Sequence, residues 1–152
     1  MRKRPTLDLA LALFAMMMLV FFAASATAST TQPFHATFVE IGGVTPTGSC
    51  GSATVSQLGH VAHQCVVFDG CGPNCELRTI TFDDGSTLVI HESIVNVISH
   101  WNLADPQFFV ITLTIDGASS TGRFAGASGG GAGIVNLAAS AVIKASGTIT
   151  LP

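Results

Sequence analysis

The stretch Ser120-Thr121-Gly122-Arg123-Phe124-Ala125-Gly126-Ala127-Ser128-Gly129-Gly130-Gly131 decides the fold class. Glycines at 122, 126, 129, 130 and 131 remove side chains where backbone bends, takes a positive φ or approaches another element closely. Arg123, Phe124 and Ala125 between them keep a strand-like alternation. A flexible linker is the competing reading, but linkers are rarely interrupted by an Arg-Phe pair. They also rarely stand between two β-rich runs, here Phe108 to Asp116 and Ile134 to Val142.

Outward from this stretch, short β-branched and aromatic runs broken by Gly, Pro, Asn and Asp fill the chain, with almost no helical periodicity. Strands are expected over Phe34 to Ile41, His60 to Phe68, Glu76 to Asp83, Ser86 to Ile94, Phe108 to Asp116, Gly122 to Ala127, Gly133 to Val142 and Gly147 to Leu151. Residues 42–59 and 95–107 are then the long connections. The clearest hairpin runs from Thr79 to Ile90 through Asp83-Asp84-Gly85, because Asp-Gly supplies the positive φ of a tight turn. Eight antiparallel strands fit a small closed β-barrel whose interior holds side chains or one small ligand. A β-sandwich is the alternative, since strand spacing alone does not separate the two.

Arg2, Lys3 and Arg4 precede an apolar run from Leu9 to Ala24, and Ala26-Thr27-Ala28 follow as a small-residue cleavage site. This is the pattern of a secretory signal peptide, with a cut after Ala28 and a single domain over residues 29–152. A membrane anchor is the rival, and the small residues immediately after the run disfavour it. No cysteine stands at the cut, so lipoprotein anchoring is not indicated.

The processed chain carries three strong bases, Arg78, Arg123 and Lys144, against eight acids, for a net charge of minus five. Without a basic stripe to neutralise phosphates, nucleic acid and anionic membranes are not expected partners. All the cysteines, Cys50, Cys65, Cys71 and Cys75, fall within one segment, which in an exported chain reads as two disulfides. Of the three pairings, Cys50 with Cys65 and Cys71 with Cys75 is preferred, because Gly72-Pro73-Asn74 forms a turn that brings its flanking cysteines together. Each closed loop is worth about 2 to 3 kcal/mol. A redox pair is disfavoured: Cys71-Gly-Pro-Asn-Cys75 is one residue longer than the thioredoxin motif, and no helix follows to lower a thiol pKa. A zinc site is disfavoured because the cysteine spacings lack paired short knuckles.

Histidines offer little on their own. His60 and His63 stand an odd interval apart, which places them on opposite faces of a strand unless it is bulged. His91 and Glu92 are adjacent and face opposite ways in the same sense, His100-Trp101 reads as an anchored loop, and His35 has no partner in sequence. No nucleophile elbow, phosphate loop, dinucleotide fingerprint or His-Glu-x-x-His is present, so no organic cofactor or resident metal is expected. Among the acids, Asp69, Asp83, Asp84, Asp105 and Asp116 sit beside turn formers, leaving Glu40 and Glu92 as the carboxylates with strand context. The residues whose orientation decides whether the lumen carries chemistry are Glu40, His91, Glu92 and Arg123.

The phrase Thr121-Gly-Arg-Phe-Ala-Gly-Ala-Ser-Gly129 resembles a signature of bacterial secreted proteins in the allene oxide cyclase and dirigent barrel-like superfamily, where it lies on a late strand and bend of an eight-stranded barrel. The resemblance runs from about Phe34 to Pro152 through Leu58-Gly59-His60, Asp84-Gly85-Ser86 and Gly147-Thr148-Ile149. It implies a lumen that steers a reactive apolar molecule without an organic cofactor, and assembly as trimers. The shared phrase is structural, so it carries no functional residue over to this chain, which lacks tyrosine and adds cysteines in its early hairpin region. Two functions follow as expectations: a non-catalytic exported barrel that binds a small apolar ligand or serves an envelope or extracellular assembly, or a cofactor-free isomerase, cyclase or stereochemical guide. A binder needs an apolar lining with a few oriented polar groups. A catalyst needs a convergent ionisable group with a perturbed pKa.

Overall fold

The computed structural model describes residues 28–41, 46–98, 108–137 and 141–152. The expected signal segment before Ala28 lies outside the described residues, as do His100, Trp101 and Asp105. Eight strands follow one another: β1 (Thr30–Glu40), β2 (Gly48–Val55), β3 (Val61–Gly72), β4 (Cys75–Phe82), β5 (Thr87–Ile98), β6 (Phe108–Ile115), β7 (Ser128–Asn136) and β8 (Ala141–Leu151). Each pairs antiparallel with its chain neighbour, and β8 returns to β1 in register from Thr30↔Leu151 to Glu40↔Ala141. That closing ladder excludes a sandwich and leaves no free sheet edge. Pro33 is tolerated within β1 because β2 joins only from Ala36 onward, so its missing N–H faces no second partner strand.

The alternation of each strand sends one set of side chains into the lumen. Phe34, Ala36 and Phe38 of β1, Ile80 and Phe82 of β4, Leu88 and Ile90 of β5, Ile111, Leu113 and Ile115 of β6, and Ile143, Ala145 and Ile149 of β8 form one buried apolar core. One end of the barrel is filled. There Phe124, 1% exposed, lies 4.7 Å from the Phe82 ring centre to centre, and Leu58 enters from the β2–β3 turn.

Several expected elements differ. Gly48–Val55, placed by sequence within a long connection, is a strand, and Gly122–Ala127, expected as a strand, holds a single 3-10 turn over Gly122–Phe124. The sequence GSCGSATV has few residues with strand preference, and it is held extended by tertiary pairing: β1 on one side, and on the other β3, where Cys50 stands directly opposite Cys65. Those two cysteines form one disulfide and Cys71 and Cys75 the other, the pairing preferred from the turn chemistry. Gly133 to Val142, expected as one strand, is divided between β7 and β8, which begins at Ala141, six residues before the expected start at Gly147; the glycines at 129–131 belong to β7. Their role there is close approach. A Cβ on Gly131 would stand 2.7 Å from the Cα of Gly147, its cross-strand partner, and one on Gly147 would stand 2.8 Å from the Cα of Gly131.

Gly126 has φ +78°, and its N–H donates to the Gly117 carbonyl at 2.8 Å, turning the chain from the Phe124 plug into β7. A Cβ there would meet only Pro152 Cγ, at 3.4 Å, so backbone conformation rather than space demands glycine. Gly126→Val is therefore expected to destabilise the fold by more than about 1 kcal/mol, beyond the spread of strand preference. Thermal denaturation of the two proteins measures it, and an unchanged midpoint contradicts the positive-φ requirement.

Candidate functional site

The register of β4 and β5 builds the polar part of the lumen. Glu76 stands directly opposite Glu92, and Arg78 stands opposite Ile90, one inward position along. Like charges facing each other across a ladder repel, and Arg78, diagonal to Glu92, supplies the compensating charge. Its Nε donates to Glu92 Oε1 at 2.6 Å and its Nη2 to Glu92 Oε2 at 2.9 Å, the two-pronged geometry of guanidinium on carboxylate. From across the lumen Glu40 of β1 accepts from Nη2 at 3.1 Å, and Gln64 of β3 accepts from Nη1 through its carbonyl oxygen. The guanidinium carbon lies 4.5 Å above the Phe38 ring centre. Four strands thus converge on one cation whose side chain is 0% exposed.

The protonation of this cluster follows from its surroundings. Burial pulls the pKa of Arg78 down, but Glu92 and Glu40 outweigh it and hold the guanidinium above its ordinary value, so it stays charged. Glu76 moves the other way: burial first, then repulsion from Glu92, raises it to about 7 against the attraction of Arg78. Its carboxylate takes no hydrogen bond among the described residues.

Above this cluster, at the end opposite the Phe124 plug, lies a cavity of about 290 Å³. Its walls are apolar, with Phe68, Ile94, Phe109, Ile111, Val135 and Ile143 among them, and Glu40 and Glu76 are its ionisable lining residues. The strand ends flanking residues 42–45, 99–107 and 138–140 stand at the same rim. A wider depression of about 690 Å³ lies on the outer face of β6 to β8, against His35, Phe108, Val110, Ile134 and Lys144. It is more open to solvent and none of Glu40, Gln64, Arg78 and Glu92 lines it, so the lumenal cavity is the better candidate despite its smaller size.

Of the residues singled out in sequence, Glu40 and Glu92 are brought together on Arg78. His91 is not among them. It faces outward, with Nε2 3.4 Å from Asp116 Oδ2, while its neighbour Glu92 faces in. Hydrogen bonds from Ser119, rather than His91, are the main reason that Asp116 stays below the ordinary carboxylate range. Arg123 serves the filled end: it donates to the Leu58 carbonyl, lies 3.3 Å from Asp84, and stacks over Phe82 and Phe124 at 4.9 and 4.7 Å. His35, His60 and His63 are exposed. Cys71, Cys75 and His91 have ligand atoms within 4.8 Å of one another, but the two sulfurs are bonded to each other, which removes the thiolates a metal would need.

Sequence reasoning missed Arg78, Glu76 and Gln64. A signal for two of them was present in Glu76-Leu-Arg-Thr-Ile-Thr-Phe82: alternation that makes Ile80 and Phe82 inward also turns Arg78 and Glu76 inward. Charged residues at lumenal positions mark a site more specifically than any histidine among the described residues.

Two measurements test the cluster. Arg78→Met leaves Glu92 and Glu40 buried without their cation and is expected to destabilise by roughly 3 to 5 kcal/mol in urea unfolding near neutral pH. Glu76 keeps its proton in the folded state to about pH 7, whereas in the unfolded chain it releases it near the ordinary value of 4.5. The folded state then binds more protons between those values, so this contribution to stability is full below pH 4.5 and is lost as pH rises to about 7. Glu76→Gln is expected to flatten that slope, and an unchanged slope would show that Glu76 is not the group responsible. No family model, curated protein or solved structure matches this chain, and the chemistry of its lumen rests on its own residues.

Proposed function

We propose that the chain is an exported barrel that binds a small apolar molecule in the lumenal cavity above Arg78. The observation that carries this reading is the cavity of about 290 Å³ at the rim, apolar-walled and with Glu40 and Glu76 at its polar end. That combination, an apolar lining with a few oriented polar groups, is what small-molecule sites share. Export rests on the basic start, the apolar run and the small residues before Ser29, and the two disulfides fit an oxidising compartment.

A second reading, a cofactor-free isomerase or cyclase of the kind the family resemblance implies, is favoured by the place of Glu76 on the cavity wall, where burial and then the facing Glu92 push its carboxyl up to about 7. A carboxyl poised there serves as either acid or base near neutrality. Turnover by this route requires Glu76 and vanishes in Glu76→Gln, while binding alone survives that change.

The binding reading is tested with protein recovered after secretion, whose N-terminus is expected at Ser29. The neutral fluorophore N-phenyl-1-naphthylamine is expected to bind with enhanced emission. Ala141→Trp and Val135→Trp each place an indole in the cavity and are expected to abolish the enhancement with the fold retained by circular dichroism. Undiminished binding in both folded variants places the probe elsewhere and overturns the assignment.

A further inference from the structure

Charge in the lumen does not balance. Arg78 provides one positive charge, Glu92 and Glu40 both bind it, and Glu76 adds a third carboxyl directly across the ladder from Glu92. The Glu40 side chain is 6% exposed, and only its Oε1 is engaged by Arg78 among the described residues, leaving the second oxygen free of hydrogen bonds. Glu76 brings a carboxylate with no hydrogen bond among the described residues to the same cavity. Around them the walls are hydrocarbon, which neither solvates nor screens excess negative charge.

We infer that the ligand of this cavity carries a cationic nitrogen on its apolar body, an inference that rests on the binding reading above. An ammonium group between Glu40 and Glu76 supplies the missing positive charge and donates to carboxylate oxygens that nothing in the described chain satisfies. The apolar remainder lies against Phe109, Ile111 and Ile143. An anionic ligand meets uncompensated repulsion in the same place. Burial is the first reason that Glu76 holds its proton; the part that also favours a ligand cation is the field added to it by Glu92 of β5, Glu40 of β1 and Asp69 of β3, opposed by Arg78 of β4. Glu76 gains its full charge only above neutrality, so amine binding strengthens with pH while the amine itself stays protonated.

The experiment displaces N-phenyl-1-naphthylamine from the secreted protein with hexylamine, hexanol and hexanoate, which share a chain and differ in the charge of the head group. Hexylamine is expected to displace the probe at about tenfold lower concentration than hexanol at about pH 8, and hexanoate to displace least. The preference for amine over alcohol is expected to shrink at about pH 6 and in Glu76→Gln. Equal midpoints for amine and alcohol, or displacement led by hexanoate, overturn the inference and leave cavity binding standing. Failure of the probe to bind the parent protein removes both.

Discussion

A buried guanidinium constrains the rest of this barrel. Removing a charge from water costs several kcal/mol, repaid only by close, well-oriented counter-charge. Arg78 meets that condition through the two-pronged contact with Glu92, the reach of Glu40 across the lumen, the Gln64 carbonyl and the Phe38 ring. Because these partners come from β1, β3 and β5 while Arg78 itself stands on β4, the cluster fixes the relative register of strands far apart in sequence. A slip of one residue in any of them would turn its partner outward and leave the cation exposed to hydrocarbon.

The same cluster divides the lumen into two parts of different character. Below it, aliphatic and phenyl side chains fill the space, and the turn carrying Phe124 closes the end under Arg123. Above it, the core gives way to the cavity, with Glu40 and Glu76 between apolar walls. Arg123 and Arg78 therefore have opposite roles. Arg123 is a partly exposed clamp that spreads over two rings and a carbonyl, and Arg78 is a buried hub whose charge is overmatched by carboxylates.

The disulfides bear on the same geometry. Cys50–Cys65 ties β2, the strand with the weakest intrinsic preference, to β3, and Cys71–Cys75 secures the hairpin immediately before Glu76. With few charged surface residues and a lumen partly given to polar groups, a domain of this size gains from covalent ties that restrict the unfolded chain.

Local chemistry in the sequence determined the all-β class, the turn between β4 and β5, the cysteine pairing across Gly72-Pro73-Asn74 and the need for glycine at 126, because each depends on a few neighbouring residues. Alternation also determined that His91 and Glu92 part company, one outward and one inward. Tertiary structure alone decided that GSCGSATV is a strand and that Arg123 closes an end rather than entering the lumen, since pairing with β1 and β3 and packing on Phe82 override local preference. It alone joined Glu40, Gln64, Arg78 and Glu92, which contribute to one site only when the closing ladder between β1 and β8 wraps the sheet and brings Glu40 across the lumen to the guanidinium. Electrostatic energy depends on distance through space, and no spacing along the chain encodes a distance that barrel closure creates.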